Sequence, residues 1–299
     1  MAHVRQSERL MHYRVTHTTR YRYAQPVSQC QNEARMRPRA TPRQKCTSHR
    51  LYVSPEPASR HEREDVFGNH VAYFAVQKAH TVLEVTALSE VQLTPGAPLD
   101  AAATPPWESV AQSLRGTDSS LLEAREFVLA SPFAAPGDGY AEYARACFTP
   151  GRPLLEAATA LMEQIHDEFE YDPLFTTVAT PLDQVFAHRR GVCQDFAHLL
   201  IACLRALGLP ARYVSGYLET EAGPGQEKLR GADASHAWVA VFCPGAGWID
   251  LDPTNRQLPD TRHLTLAWGR DYGDVAPLNG VIRGGGPATL EVEVDVIRA

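Results

Sequence analysis

Cys193 stands in "RRGVCQDFAHLLIACLRALGLPARYVSGY", residues 189 to 217, directly after Gly191 and Val192 and at the head of an apolar run. A cysteine acts as a nucleophile only as its thiolate, and its free pKa of about 8.5 falls at a helix N-terminus or beside an imidazolium. The first condition is legible here. Gly191 permits a tight turn, and residues 194 to 207 are expected to form a helix whose positive dipole end faces the sulfur. The free N–H groups of its first turn are donors for a developing oxyanion. Taken alone, a free cysteine is more often a small buried hydrophobe. Cys203, mid-helix among Leu200, Ile201 and Leu204, is read that way, and Cys243 as core or loop.

A thiolate nucleophile needs a base within hydrogen-bond reach, and the base needs an orienting partner. His198 follows Cys193 by five residues, roughly 140° round a helix, so it is expected to be structural or on the helix surface. His236 opens the strand-like run "HAWVAVF", which can cross the helix N-terminus. "GWIDLDPTN" comes next, turns at Gly247 and is expected to pair with the His236 strand as a hairpin. That sets an acid beside the imidazole. Asp250 and Asp252 are two apart and share a face, so alternation does not separate them. Asp252, at the strand end before Pro253, is the better placed acceptor, although "DPTN" alone is an ordinary turn.

The elements that must hold these residues come in two kinds. "HYRVTHTTRYRYAQPV" alternates, with Tyr13, Val15, His17, Thr19, Tyr21 and Tyr23 on one face, which predicts a half-buried strand. "SHRLYVSPEP", "VFGNHVAYFAVQ" and "HTVLEVTALSEVQL" read as further strands, so residues 11–93 are expected to form an antiparallel β-sandwich. Residues 94–110, rich in Pro and Ala and without period, read as a linker. Residues 111–299 carry helical patterns first, as in "PLLEAATALMEQIHDEFEY", and strands afterwards, ending in "ATLEVEVDVIRA". The whole chain is therefore expected to be α+β. "EAGPGQEKLRGADAS" reads as a polar loop.

The three motifs "GVCQDFAHLLIACLRALGLPARYVSGY", "SHAWVAVF" and "GWIDLDPTN" resemble, in the same order, the catalytic motifs of the transglutaminase-like superfamily core. "FEYDP" and "TPLDQVF" upstream fit the same pattern. "YRVTHTTRYRYAQPV" and "DVFGNHV" resemble the N-terminal β domain of the bacterial branch, and "AWGRDYGDVAPLNGVIRGGG" resembles its C-terminal run. The resemblance implies a papain-like core after the β domain. It also implies Cys193 as nucleophile, His236 as general base and acid, and Asp252 as orienter. The implied chemistry is acyl transfer through a thioester, resolved by water or by an amine. The implied substrate is a glutamine-type amide or a peptide bond of a protein or peptide. The oxyanion would rest on the Cys193 N–H and a second donor. Gln194, Tyr171 and Trp238 are candidates for it, each more often structural. The calcium requirement of animal transglutaminases is not carried over.

Composition closes off other classes. The 299 residues suggest two domains, and a net charge of −6 leaves no basic footprint for nucleic acid. No apolar run approaches the ~18 residues that span a bilayer. "MAHVRQSERLMHYRV" has no apolar signal core, so a cytoplasmic protein is expected. The cysteines at 30, 46, 147, 193, 203 and 243 include no CxxC pair, which argues against a disulfide framework and a zinc site. No cofactor and no metal are expected. Trp238 and Trp248 read as buried strand aromatics before channel lining, and Asp271 and Asp274 as a salt-bridged turn rather than a cation site. The rival from another class is a non-catalytic peptide-binding module on the same fold, which needs none of the three residues. Between hydrolysis and transamidation the residues lean only slightly to hydrolysis.

Overall fold

The computed structural model describes residues 10–220 and 234–299. The N-terminal region folds into five strands: β1 (Met11–Ala34), β2 (Gln44–Ser54), β3 (Ser59–Glu64), β4 (His70–Val76) and β5 (His80–Leu93). The alternation in β1 has the expected result: Tyr13, Val15, His17 and Thr19 are buried and the residues between them are not.

Helices follow: α1 (Trp107–Ser113), α2 (Leu122–Glu126), α3 (Asp138–Arg145) and α4 (Leu154–Glu168). α1 begins inside the expected linker 94–110 and buries Val110 and Ala111. On α4, Leu154, Leu155, Ala158, Leu161, Met162 and Ile165 all face the core, as their spacing predicts. Then come β6 (Glu170–Tyr171), α5 (Leu182–His188), β7 (Arg190–Gly191) and α6 (Cys193–Ala206). Every residue of α6 from Asp195 to Arg205 is buried. A helix buried on all sides belongs inside a domain, and α6, mostly apolar but burying Asp195, His198 and Arg205 as well, is the central element of the main core.

The chain continues with β8 (Ala211–Leu218), β9 (Ala234–Cys243), β10 (Gly247–Leu251) and β11 (His263–Gly269), which form an antiparallel sheet in the order β10-β9-β8-β11. The β9–β10 hairpin is the one expected. Residues 221–233, which hold most of the expected polar loop, lie outside the described residues. α7 (Tyr272–Val275), β12 (Leu278–Gly284) and β13 (Ala288–Arg298) complete the chain.

β12 and β13 depart from the expected C-terminal unit 111–299. Both pair with β1, with Ala34 opposite Leu278 and Tyr13 opposite Arg298. They complete a single seven-stranded antiparallel sheet with β2, β5, β4 and β3, in which β1 joins the strands that a two-sheet sandwich would separate. The reason is apolar: Val294 and Val296 of β13 bury with Tyr13 and Val15 against Tyr217, Leu264 and Leu266 of the second sheet.

Two amide side chains tie the sheets together. β11 is an edge strand, and an unpaired edge exposes backbone donors and acceptors. The Gln44 amide accepts from the Thr265 N–H at 2.8 Å and donates to the Thr265 carbonyl at 2.6 Å. Asn69 does the same at Trp268, at 3.0 and 2.8 Å. Arg39 and Arg212 stack over the Trp268 ring, and Arg212 lies over Trp248 as well. Among the described residues no helix is long and apolar enough to cross a membrane.

Candidate active site

The turn before Cys193 is built by short-range pairing. α5 ends at Arg189 in the left-handed region, φ 57°. β6 and β7 then run parallel, and the Asp172 N–H donates to the Gly191 carbonyl at 2.9 Å. Asp195, on the first turn of α6, reaches back to accept from the Val192 N–H at 2.9 Å and from the Thr176 hydroxyl at 2.7 Å. This is the reciprocal half of a capping box. It also explains Gly191, because a Cβ there would stand 2.8 Å from Asp195 Cβ. Cys193 is thereby the first residue of α6 and half-buried.

His236, near the start of β9, faces this helix end. Its Nε2 lies 2.8 Å from Asp252 Oδ2, and the ring lines the same cleft as Cys193. With Nε2 on the carboxylate, Nδ1 is the nitrogen left for sulfur. Burial pulls the imidazolium pKa down. The bonds and charges of Asp252 and Cys193 outweigh it, and the pKa is pushed up to about 10.

Asp252 is fully buried at the end of β10. Its Oδ1 accepts from the N–H groups of Thr254 at 3.0 Å and Asn255 at 3.2 Å. Its Oδ2 accepts from His236, from Asn255 Nδ2 at 2.8 Å and from His263 Nε2 at 3.1 Å. Burial favours the neutral acid, yet these donors hold the carboxyl well below the usual range. Asn255 Nδ2 is also 3.2 Å from His236 Nε2. Because both are donors to the same oxygen, this is a contact and not a bond.

His236, Asp252 and His263 place one nitrogen or oxygen each within 4.8 Å of one another, a spacing a metal ion can use. Those atoms are already engaged with each other, so a cation would have to displace the hydrogen bonds that orient His236.

The remaining sequence candidates separate cleanly. Asp250 does not reach His236. Burial raises its pKa and the charge of Arg212 opposes the rise. His198 is buried, accepts from the Tyr272 N–H at 3.1 Å and stacks on Phe133, so it is structural. Trp238 is buried beneath the site, with its ring 6.1 Å from His236 and 5.3 Å from His263. Gly216 makes room for it, since a Cβ there would lie 2.3 Å from the indole. Trp248 packs on Phe127 and Phe242 away from Cys193. Gln194 lines the cleft, while Tyr171 is exposed and edges onto Phe196. Cys203 and Cys243 are buried. Asp274 pairs with Arg270 at 2.8 Å, and Asp271 caps α7 and accepts from the Phe133 N–H.

Sequence reasoning missed His263, Asn255 and Asp195. Asn255 stands inside "DPTN", and Asp195 is an acid on a helix first turn, a recognised capping signal. His263 carries no local signal, because it meets Asp252 only through the order of strands.

A cleft of about 240 Å³ opens onto Cys193 and His236. One wall is Tyr213, Ser215 and Tyr272. The other is the N-terminal sheet, through Thr19, Tyr21, Leu290 and Val292.

Comparison with known proteins agrees with this architecture. Residues 13–92 match the bacterial transglutaminase-like N-terminal region, and residues 141–253 match the transglutaminase-like superfamily. An uncharacterized protein of Mycobacterium tuberculosis is 42% identical over 293 residues, covering 95% of this chain and 92% of its own. A protein-glutamine gamma-glutamyltransferase of Pseudomonas aeruginosa is 33% identical over 132 residues, 40% of this chain and 20% of its own. A solved structure described as a candidate cysteine protease of Cytophaga hutchinsonii shares the fold, with a TM-score of 0.75, 21% identity and coverage of 97% of this chain and 91% of that one.

Proposed function

The chain belongs to the transglutaminase-like superfamily, and we propose that it is a cysteine enzyme acting on amide or peptide bonds through a thioester at Cys193. The observation that carries this reading is the His236 ring, bonded to the buried Asp252 at 2.8 Å and lining the same cleft as Cys193 at the head of α6. Against the pull of burial, Asp252 and Cys193 push the His236 imidazolium pKa up to about 10, so the ring carries a proton at neutral pH.

In this reading the thiolate attacks the amide carbonyl carbon. The oxyanion that forms is held by the Cys193 N–H at the α6 terminus, where the helix dipole also favours negative charge. Gln194, which lines the cleft, is the candidate for a second donor. The imidazolium gives its proton to the leaving nitrogen, the C–N bond breaks, and ammonia or an amine departs from the thioester. His236, now neutral, takes a proton from water or from an incoming amine, whose attack releases acid or new amide and restores the thiolate. Asp252 keeps the ring oriented and its charge opposite the imidazolium.

The test begins with the cysteines. Cys193 and Cys46 are both half-buried, so exposure alone predicts similar iodoacetamide rates. In the proposed enzyme Cys193 reacts far faster. Cys193→Ala should then cut release of ammonia or amine from a panel of glutamine and peptide amides by at least about 10³-fold. Equal labelling of the two thiols, together with retained turnover in Cys193→Ala, would defeat the reading. Adding a primary amine to the active protein then separates transfer from hydrolysis, by mass of the product.

A further inference from the structure

The cleft wall opposite Cys193 is a continuation of a buried row. On one face of the β1–β13 pair the cross-strand partners are Val15 with Val296, His17 with Val294, Thr19 with Val292 and Tyr21 with Leu290. Val15, Val294 and Val296 are buried against Tyr217, Leu264 and Leu266. His17 joins the same contact through the Tyr217 hydroxyl, 2.9 Å from Nδ1. The row then passes beyond the second sheet and over the cleft. There Leu290 and Val292 are 55% and 46% exposed. An apolar row that outruns its protein partner beside a half-buried thiol in a cleft is where a ligand completes the packing.

The electrostatics of the cleft point the same way. No Asp, Glu, Lys or Arg lines it among the described residues. Of its two histidines, His236 is bonded to Asp252. His17 has both ring nitrogens bonded, to Tyr217 and to Thr19, and burial keeps it neutral. A charged side chain entering here would lose water and gain no partner. The volume of about 240 Å³ is below the ~300–1,000 Å³ of pockets that engulf whole drug-sized ligands. It suits one side chain of an extended chain.

We propose that Tyr21, Leu290 and Val292 form the acyl-donor subsite of Cys193, selecting a bulky, uncharged, apolar side chain next to the amide or peptide bond under attack. The N-terminal sheet is then part of the substrate site as well as a structural support. This rests on Cys193 being the nucleophile, and the test separates the two ideas.

The probes are three acetylated amino-acid chloromethyl ketones, of phenylalanine, glycine and aspartate, with iodoacetamide as a reagent that needs no subsite. Each ketone alkylates the thiolate at its CH₂ carbon, so a C–S bond replaces C–Cl and chloride leaves. Modification of Cys193 in the full chain is followed by mass spectrometry. The phenylalanine reagent should react at least about tenfold faster than the glycine one, as burial of an aromatic side chain implies, and the aspartate reagent slowest. Leu290→Asp and Val292→Asp should bring the phenylalanine-to-glycine ratio close to one. Leu290→Ala and Val292→Ala give the same comparison, with a smaller fall, should an acid at either position prevent folding. Equal rates for the three ketones on protein whose Cys193 reacts normally with iodoacetamide would overturn the subsite and leave the nucleophile standing. So would a ratio unchanged in the variants. Failure of iodoacetamide itself to modify Cys193 would remove the nucleophile and the subsite together.

Discussion

His236 and His263 bond the same oxygen of Asp252, at 2.8 and 3.1 Å. The carboxylate has no exposure to water, so these imidazoles and Asn255 replace its hydration. Held from several directions, it cannot swing, and it fixes the His236 ring through Nε2. His263 thus acts on the site without touching it. Its other nitrogen lies 3.5 Å from Asp260.

Replacing His263 by Leu should leave part of the Asp252 charge without a donor. An unsatisfied buried acceptor costs ~1–3 kcal/mol. Urea denaturation at pH 7 should show a loss of that order, and His263→Gln, which can still donate, a smaller one. A Leu variant as stable as the parent would mean that the second imidazole contributes nothing.

Asp252 and Asp250 should separate by activity. In Asp252→Ala, His236 loses the partner that raises its pKa, and burial then pulls it from about 10 towards or below 6.5. An NMR titration of the ring reads this directly. Turnover should fall ~10³–10⁴-fold. Asp250→Ala removes the acid that offsets the burial of Arg212, so it should lower stability while leaving turnover within a few-fold. A larger loss of activity from Asp250→Ala than from Asp252→Ala would reassign the orienter.

Stability should peak near neutral pH. Burial pushes the imidazoles of His17 and His198 down to about 4 and about 3. Unfolded histidine titrates near 6.5, so on acidification the unfolded chain binds protons first, and stability falls from about pH 6.5 downwards. At ~1.4 kcal/mol per pH unit, the full loss through His17 alone is on the order of 3 kcal/mol. His236 has the opposite sign. Raised to about 10, it contributes stability that is fully present below about 6.5 and lost as pH rises through about 10. Urea midpoints should therefore decline on both sides of about pH 6.5, with a shallower acid limb in His17→Gln. A flat midpoint from pH 4 to 6.5 would contradict the assignment of neutral buried imidazoles.

The side-chain clamps on β11 predict a local effect. Gln44→Leu leaves the N–H and carbonyl of Thr265 unpaired, and Asn69→Leu does the same at Trp268. Each should cost ~1–3 kcal/mol and speed amide exchange at its own residue more than elsewhere on β11. Uniform exchange along the strand in both variants would show that the edge is covered by other means.

What the amino-acid order determined by itself was local and periodic. Alternation from Tyr13 to Tyr23 marked β1, the spacing of Leu154, Leu155, Ala158 and Leu161 marked α4, and the apolar run after Cys193 marked α6. The order of Cys193, His236 and Asp252 on a helix start and two neighbouring strands was legible because each lies at the end of such an element. The tertiary structure decided what depends on strand order. It returned β12 and β13 to β1, because the valines of β13 needed the second sheet to bury them. It chose Asp252 over Asp250, which share a face, because only the residue at the strand end reaches His236. It brought His263 to Asp252 and laid Leu290 over the cleft, contacts between segments far apart in the chain. Periodicity reports which side of an element is buried. It does not report which element covers it.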